Sequence, residues 1–165
     1  MYAELHCHSN YSFQEGASSV EDLLVRAHDL GYRALALTDH DNLCGAMHFA
    51  QVAKTLEMQS ITGVEMTIKD GQDGKENSHL TFLAETKEGY SQLSNLISYS
   101  YVAADRRNPA LDLKYLPDDL DGLILLTGCR TGRVPSLLTE GRFAEAETQL
   151  RQYLDWFGTD NVFVE

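Results

Sequence analysis

Ala34-Leu35-Ala36-Leu37-Thr38 is a nearly continuous apolar run of strand length, followed at once by Asp39-His40-Asp41. A strand that is apolar on both faces must be covered on both, the situation of a parallel strand between helices. The run therefore points the chain toward α/β folds, and the neighbouring stretches agree. Ser18-Ser19-Val20-Glu21-Asp22 has the Ser cap and first-turn acids of a helix start. Val20, Leu23, Leu24, Ala27 and Leu30 follow at helical spacing, and Gly31 supplies the stop. Further helices are expected over 46–57, 90–102, 134–139 and 143–157, and further strands over 3–8, 60–68, 79–84, 122–127 and 161–165. The polar stretch Lys69 to Ser78 reads as a hairpin-like connection, and residues 105–121, with two of the three prolines, as a long loop. Strand and helix alternate, which predicts a largely parallel sheet. A chain of 165 residues has enough material for one core, hence one domain, residues 1–165.

Charge narrows the function. The formal net charge is −12, with 13 basic against 25 acidic residues. A surface of that sign does not grip a phosphate backbone by itself. It suits either a solvated acidic surface or carboxylates that await divalent cations. No stretch is long and apolar enough to span a membrane, so no membrane partner is expected. No signal peptide is visible, and three widely spaced cysteines do not make a disulfide framework; both features fit a reducing cytoplasm.

Polar groups gather at the ends of the expected strands. In Ala3-Glu4-Leu5-His6-Cys7-His8 alternate side chains share a face, so His6 and His8 point the same way and Cys7 away, as a small core residue. Two imidazoles so placed can hold one divalent metal. Glu15 lies in the following loop, where it is either a ligand or the start of a turn at Gly16. His40 ends the second strand. Asp39 alternates away from it, and either orients a ligand or caps the turn. Glu65 interrupts an apolar strand, where a carboxylate needs a cation or strong donors. His79 begins the fourth strand and reaches the same mouth only if that strand runs opposite or bends. Cys129, followed by Arg130, comes after the fifth, and is either a ligand or core filler. Cys44 reads as packing, and His28 and His48 as surface histidines. Imidazoles, carboxylates and a thiol that converge form the pattern of a multinuclear metal site.

The runs His6-Cys7-His8-Ser9, Tyr11-Ser12-Phe13-Gln14-Glu15-Gly16-Ala17 and Leu37-Thr38-Asp39-His40-Asp41-Asn42-Leu43-Cys44-Gly45 resemble the PHP (polymerase and histidinol phosphatase) domain family. The likeness is strongest to the N-terminal PHP domain of bacterial C-family polymerases, the DNA polymerase III α subunits. Tyr2-Ala3-Glu4-Leu5-His6-Cys7 and Glu88-Gly89-Tyr90-Ser91-Gln92-Leu93-Ser94 are similar to the error-prone branch. The resemblance implies a distorted (β/α)7 barrel with two or three divalent ions, zinc, manganese or iron. It places the ligands on His6, His8, Glu15, His40, Glu65, His79 and Cys129, with Glu15 where the polymerases usually carry Asp. Phosphoester hydrolysis, including 3′–5′ exonuclease activity, is the implied reaction. His6, His8, His40 and Glu65 would serve it; Arg130, on its charge alone and not on the resemblance, would hold a phosphate. DNA would be bound through other domains of a longer polymerase. The family closes its site with a D-x-H pair on the seventh strand, and none follows Cys129 here. The expectation is therefore an N-terminal fragment that lacks its last strand. The rival readings are a stand-alone phosphatase for a small phosphomonoester and a structural metal-binding module without activity.

Overall fold

The computed structural model describes residues 2–69, 77–103, 107–117 and 120–165. Most of the Lys69 to Ser78 connection and parts of the 105–121 loop lie outside them. Two compact units divide the chain, Met1–Val64 and Glu65–Glu165.

In the first unit, helix α1 (Val20–Asp29) starts at Ser19, whose side chain accepts from the Asp22 N–H. This satisfies one of the amide donors that a helix start leaves over. Strand β1 (Ala34–Leu37) pairs parallel with the start of β2 (Gln59–Ile68), Ala34 opposite Gln59 through Leu37 opposite Thr62. Helix α2 (Ala46–Thr55) connects them. Leu35 and Leu37, on one face of β1, pack with Val20, Leu24 and Ala27 of α1, with Phe49 and Ala53 of α2, and with Met58. This core accounts for the apolar spacing of both helices. Residues 3–8 depart from expectation: they meet β1 through a single parallel bridge, Glu4 with Leu35, and do not form a strand. Their backbone bonds to it are out of step: the N–H groups of Ala36 and Thr38 donate to the carbonyls of Glu4 and Cys7, each at 2.9 Å, so three residues stand opposite two, and the Cys7 N–H turns to the Thr38 hydroxyl at 2.9 Å.

In the second unit, β3 (Ser78–Ala84) pairs antiparallel with β4 (Leu123–Leu126), and β4 pairs parallel with β5 (Val162–Phe163). Helix α3 (Lys87–Ala103) packs on β3 and β4. Helices α4 (Arg133–Thr139) and α5 (Phe143–Phe157) pack on each other, and α5 also covers β4 and β5. Phe82 meets Phe157 with ring centroids 6.0 Å apart. Leu111 forms a bridge to Ile68, within the stretch expected to be loop, and Leu113–Tyr115 makes one 3-10 turn.

The fold is α/β with a mixed sheet. The reversed β3 replaces the largely parallel sheet that the alternation suggested. Pairing follows chain order from β1 to β5, and among the described residues it leaves an open sheet, not a closed seven-stranded barrel.

Candidate metal centre

The first unit gathers His6, His8, Glu15 and His40. Glu15 sits on a loop made of consecutive tight turns. The Ser12 N–H donates to the Ser9 carbonyl at 2.9 Å, and the N–H groups of Glu15 and Gly16 donate to the Ser12 carbonyl at 3.0 and 2.8 Å. A Cβ on residue 16 would lie 1.9 Å from the Ser9 carbonyl oxygen, so only glycine closes this loop. Asp39, 1% exposed, holds the loop from beneath. Its carboxylate accepts from the Ser9 N–H, the Ser9 hydroxyl and the Ser12 hydroxyl, each at 2.7 Å. The Ser12 oxygen in turn accepts from the His40 N–H at 2.9 Å. Asp39 thus ties a loop and, through Ser12, the backbone of His40; it touches no imidazole in these contacts.

So braced, the Glu15 Oε2 atom lies 3.5 Å from His8 Nδ1 and 3.7 Å from His40 Nδ1. The His6 and His8 rings are 5.2 Å apart by centroid, and one ligand atom of each lies within 4.8 Å of the other. A tetrahedral ion about 2.1 Å from each of its ligands sets those ligands roughly 3.4 Å apart. Each Glu15 contact, to His8 and to His40, is by itself the spacing of two ligands on such an ion, and the donor set suits zinc, manganese or iron.

The second unit holds Glu65, His79 and Cys129. Because β3 runs antiparallel to β4, the start of one lies beside the end of the other, which brings His79 to Cys129. Gly128, at φ +85, lets the chain turn there; a Cβ on it would stand 2.5 Å from the His79 carbonyl oxygen. Glu65 is 2% exposed. Its Oε2 lies 3.3 Å from His79 Nδ1, and its Oε1 accepts from the Cys129 thiol at 3.8 Å. Thr131 joins the group: its hydroxyl is 3.3 Å from both His79 Nδ1 and Cys129 Sγ. The Glu65–His79 spacing again fits two ligands of one ion.

Arg130 follows Cys129 and is exposed. Cys7 is packed against the first unit's core. Burial, followed by the carboxylates of Glu4 and Asp39, pushes its thiol up to about 11, so it stays protonated at neutral pH and is a poor thiolate ligand. Cys44 is exposed, a correction to its reading as a packing residue; its N–H donates to Asn42 Oδ1, which holds a surface turn. His28 and His48 are surface residues, as their helix positions suggested, with acidic neighbours Asp29 and Glu21. The sequence reading passed over Ser9, Ser12, Asp41 and Thr131. Asp41 alone carried a signal, as the second acid around His40: its Oδ2 lies 3.1 Å from His40 Nε2.

Comparison with known proteins agrees with the motif reading. An error-prone DNA polymerase of Cutibacterium acnes is 44% identical over 99% of this chain, and one of Symbiobacterium thermophilum is 41% identical over 94%. A DNA polymerase III subunit alpha of Treponema pallidum is 39% identical over 99%. The chain spans about 15% of the length of these relatives. Among solved structures, an amidohydrolase from Chromobacterium violaceum has a TM-score of 0.48 at 22% identity, over 92% of this chain and 55% of its own. The family described as PHP domain matches residues 4–165, and this chain belongs to it.

Proposed function

We propose that this chain is a metal-dependent phosphoesterase domain, working within a longer bacterial polymerase of the error-prone or DNA polymerase III α type. The observation that carries the reading is the metal-like spacing around two carboxylates, Glu15 with His8 and His40, and Glu65 with His79. In this reading the ligands of two or three ions are His6, His8, Glu15 and His40 of the first unit and Glu65, His79 and Cys129 of the second. The distorted (β/α)7 barrel belongs to the same proposal, with the open mixed sheet as part of it. A reducing cytoplasm would keep the Cys129 thiol available as a ligand.

Bound divalent ions would polarise a phosphoryl group and supply hydroxide near neutral pH. The protein's part is placement. The imidazoles of His6, His8 and His40 and the buried Glu65 carboxylate supply donors in fixed positions. Arg130, exposed beside Cys129, offers a guanidinium to a substrate phosphate. Phosphodiesters at DNA 3′ ends are the proposed substrate, delivered by other parts of the polymerase, since the −12 charge of this chain does not favour a DNA backbone.

The test is metal content together with hydrolysis. Purified chain reconstituted with zinc, manganese or iron should retain metal and cleave bis-p-nitrophenyl phosphate and a DNA 3′ end, and His8→Ala should abolish the cleavage. Absence of metal after reconstitution overturns the reading. Retained metal with cleavage unchanged in His8→Ala would assign the hydrolysis to a contaminant and leave a structural module.

A further inference from the structure

His40 faces a carboxylate on each ring nitrogen. Nδ1 lies 3.7 Å from Glu15 Oε2, and Nε2 lies 3.1 Å from Asp41 Oδ2. The two carboxylates are not equivalent. The Asp41 side chain is 6% exposed, whereas that of Glu15 is 44% exposed. Asp41 also sits at φ +53, in the left-handed region that non-glycine residues seldom adopt, though Asp and Asn tolerate it better than most. This backbone turn brings the carboxylate back onto the ring of the residue just before it.

A neutral imidazole carries one ring proton, and a metal can be bound only through the other nitrogen. Both carboxylates compete for that proton. The contact to Asp41 is at hydrogen-bond length and shielded from water, and the contact to Glu15 is longer and wetter, so Asp41 wins. We propose that Asp41 is a positioning residue: it holds the His40 proton on Nε2 and so presents the Nδ1 lone pair, beside Glu15, to the cation. This rests on the metal-centre reading above and adds a residue to it. Without Asp41, the Glu15 carboxylate would draw the proton to Nδ1, and ring and carboxylate would then satisfy each other in place of the metal.

The test uses the whole chain, metal-free, at a pH where the ring is neutral, with ¹⁵N-labelled histidine. Long-range ¹H–¹⁵N spectra distinguish the protonated nitrogen of His40 from the bare one. Wild type should show the proton on Nε2. Asp41→Gly and Asp41→Asn both accept φ +53, so neither variant tests backbone strain. Asp41→Gly should shift a substantial fraction of the proton to Nδ1 and weaken zinc binding, in competition with a chromophoric chelator, by about 10- to 100-fold. Asp41→Asn, which keeps an acceptor, should recover part of both. A wild-type proton on Nδ1, or an Asp41→Gly variant with unchanged tautomer and zinc affinity, overturns the proposal. Failure of wild type to bind zinc would overturn the metal-centre reading instead, while the tautomer spectra would still judge what Asp41 does to His40.

Discussion

The group around Glu15 and the group around Glu65 use the same donors, imidazole and carboxylate, but are built by opposite means. Glu15 sits on a loop of tight turns, and its place depends on three hydrogen bonds from Ser9 and Ser12 to one buried carboxylate. Glu65 lies on β2 and His79 on β3, with Cys129 just past β4, and the register of β3 on β4 brings His79 and Cys129 together through several backbone bonds. A loop site can therefore be lost by a single change beneath it. A strand site should resist any change short of the ligands themselves.

The largest effect is expected at the loop's support. Asp39→Ala removes an acceptor used by one amide and two hydroxyls, all buried. Hydrogen bonds to a charged group contribute about 1.5–3 kcal/mol, and buried donors left alone add to the cost, so the loss should be roughly 3 kcal/mol or more. Urea unfolding measures it. A loss below about 1 kcal/mol would mean the loop holds itself and the contrast between the two groups is false.

Next comes a candidate ligand of the strand group. Glu65→Gln should reduce zinc retention against a chelator by at least about tenfold while leaving the fold's cooperative unfolding intact. His28→Ala and His48→Ala, on exposed helix faces, should change retention by less than about twofold. Similar losses in all three variants would place the metal somewhere other than Glu65.

These differences mark where the sequence could be read and where it could not. The core was legible because its signal is periodic: the run from Ala34 to Leu37 and the spacing of Val20, Leu24 and Ala27 required burial whatever the details. Glu65 and His79 stood out as candidate ligands because both are costly in apolar surroundings without partners. Three things were not legible. Residues 3–8 have a strand's pattern, but they run out of step with β1: the N–H groups of Ala36 and Thr38 donate to the carbonyls of Glu4 and Cys7, three residues opposite two. The reversal of β3 depends on how its connection turns, which alternation does not encode, although His79 at the start of a strand hinted at it. Asp39 stood out by its position, yet its partners are serines some thirty residues earlier in the chain, and only tertiary structure brings them together. Thr131 works through a chain reversal after β4, and a single threonine there carries no sequence signal.

Cysteine titration separates the packed face of residues 3–8 from the site-facing one. The Cys7 thiol is raised from 9.0 to about 11 in the folded chain, chiefly by burial. The folded state thus holds its proton where the unfolded state has lost it, so this contribution to stability is complete below pH 9 and falls as pH rises from 9 through 11. Subtracting the stability of Cys7→Ala from that of wild type, pH by pH, should isolate that slope; a flat difference would place Cys7 in water. Alkylation at pH 8 should modify Cys44 well before Cys7.

The smallest effect compares the two braces on histidine. Asp41 reaches His40 with a shielded carboxylate, whereas Thr131 reaches His79 Nδ1 with an exposed hydroxyl at 3.3 Å. Water can replace an exposed hydroxyl but not a buried charge, and Glu65 already faces the same nitrogen of His79. Thr131→Val keeps the shape and removes the hydroxyl. It should alter stability by no more than about 0.5 kcal/mol, as surface changes usually do. Zinc affinity should fall by less than tenfold, well short of Asp41→Gly. The register of β3 on β4 is what makes this loss small, because it holds His79 in place without help from its side-chain neighbours. Should Thr131→Val weaken zinc as much as Asp41→Gly does, the strand group would depend on a single side chain just as the loop group does, and backbone register would not be what secures it.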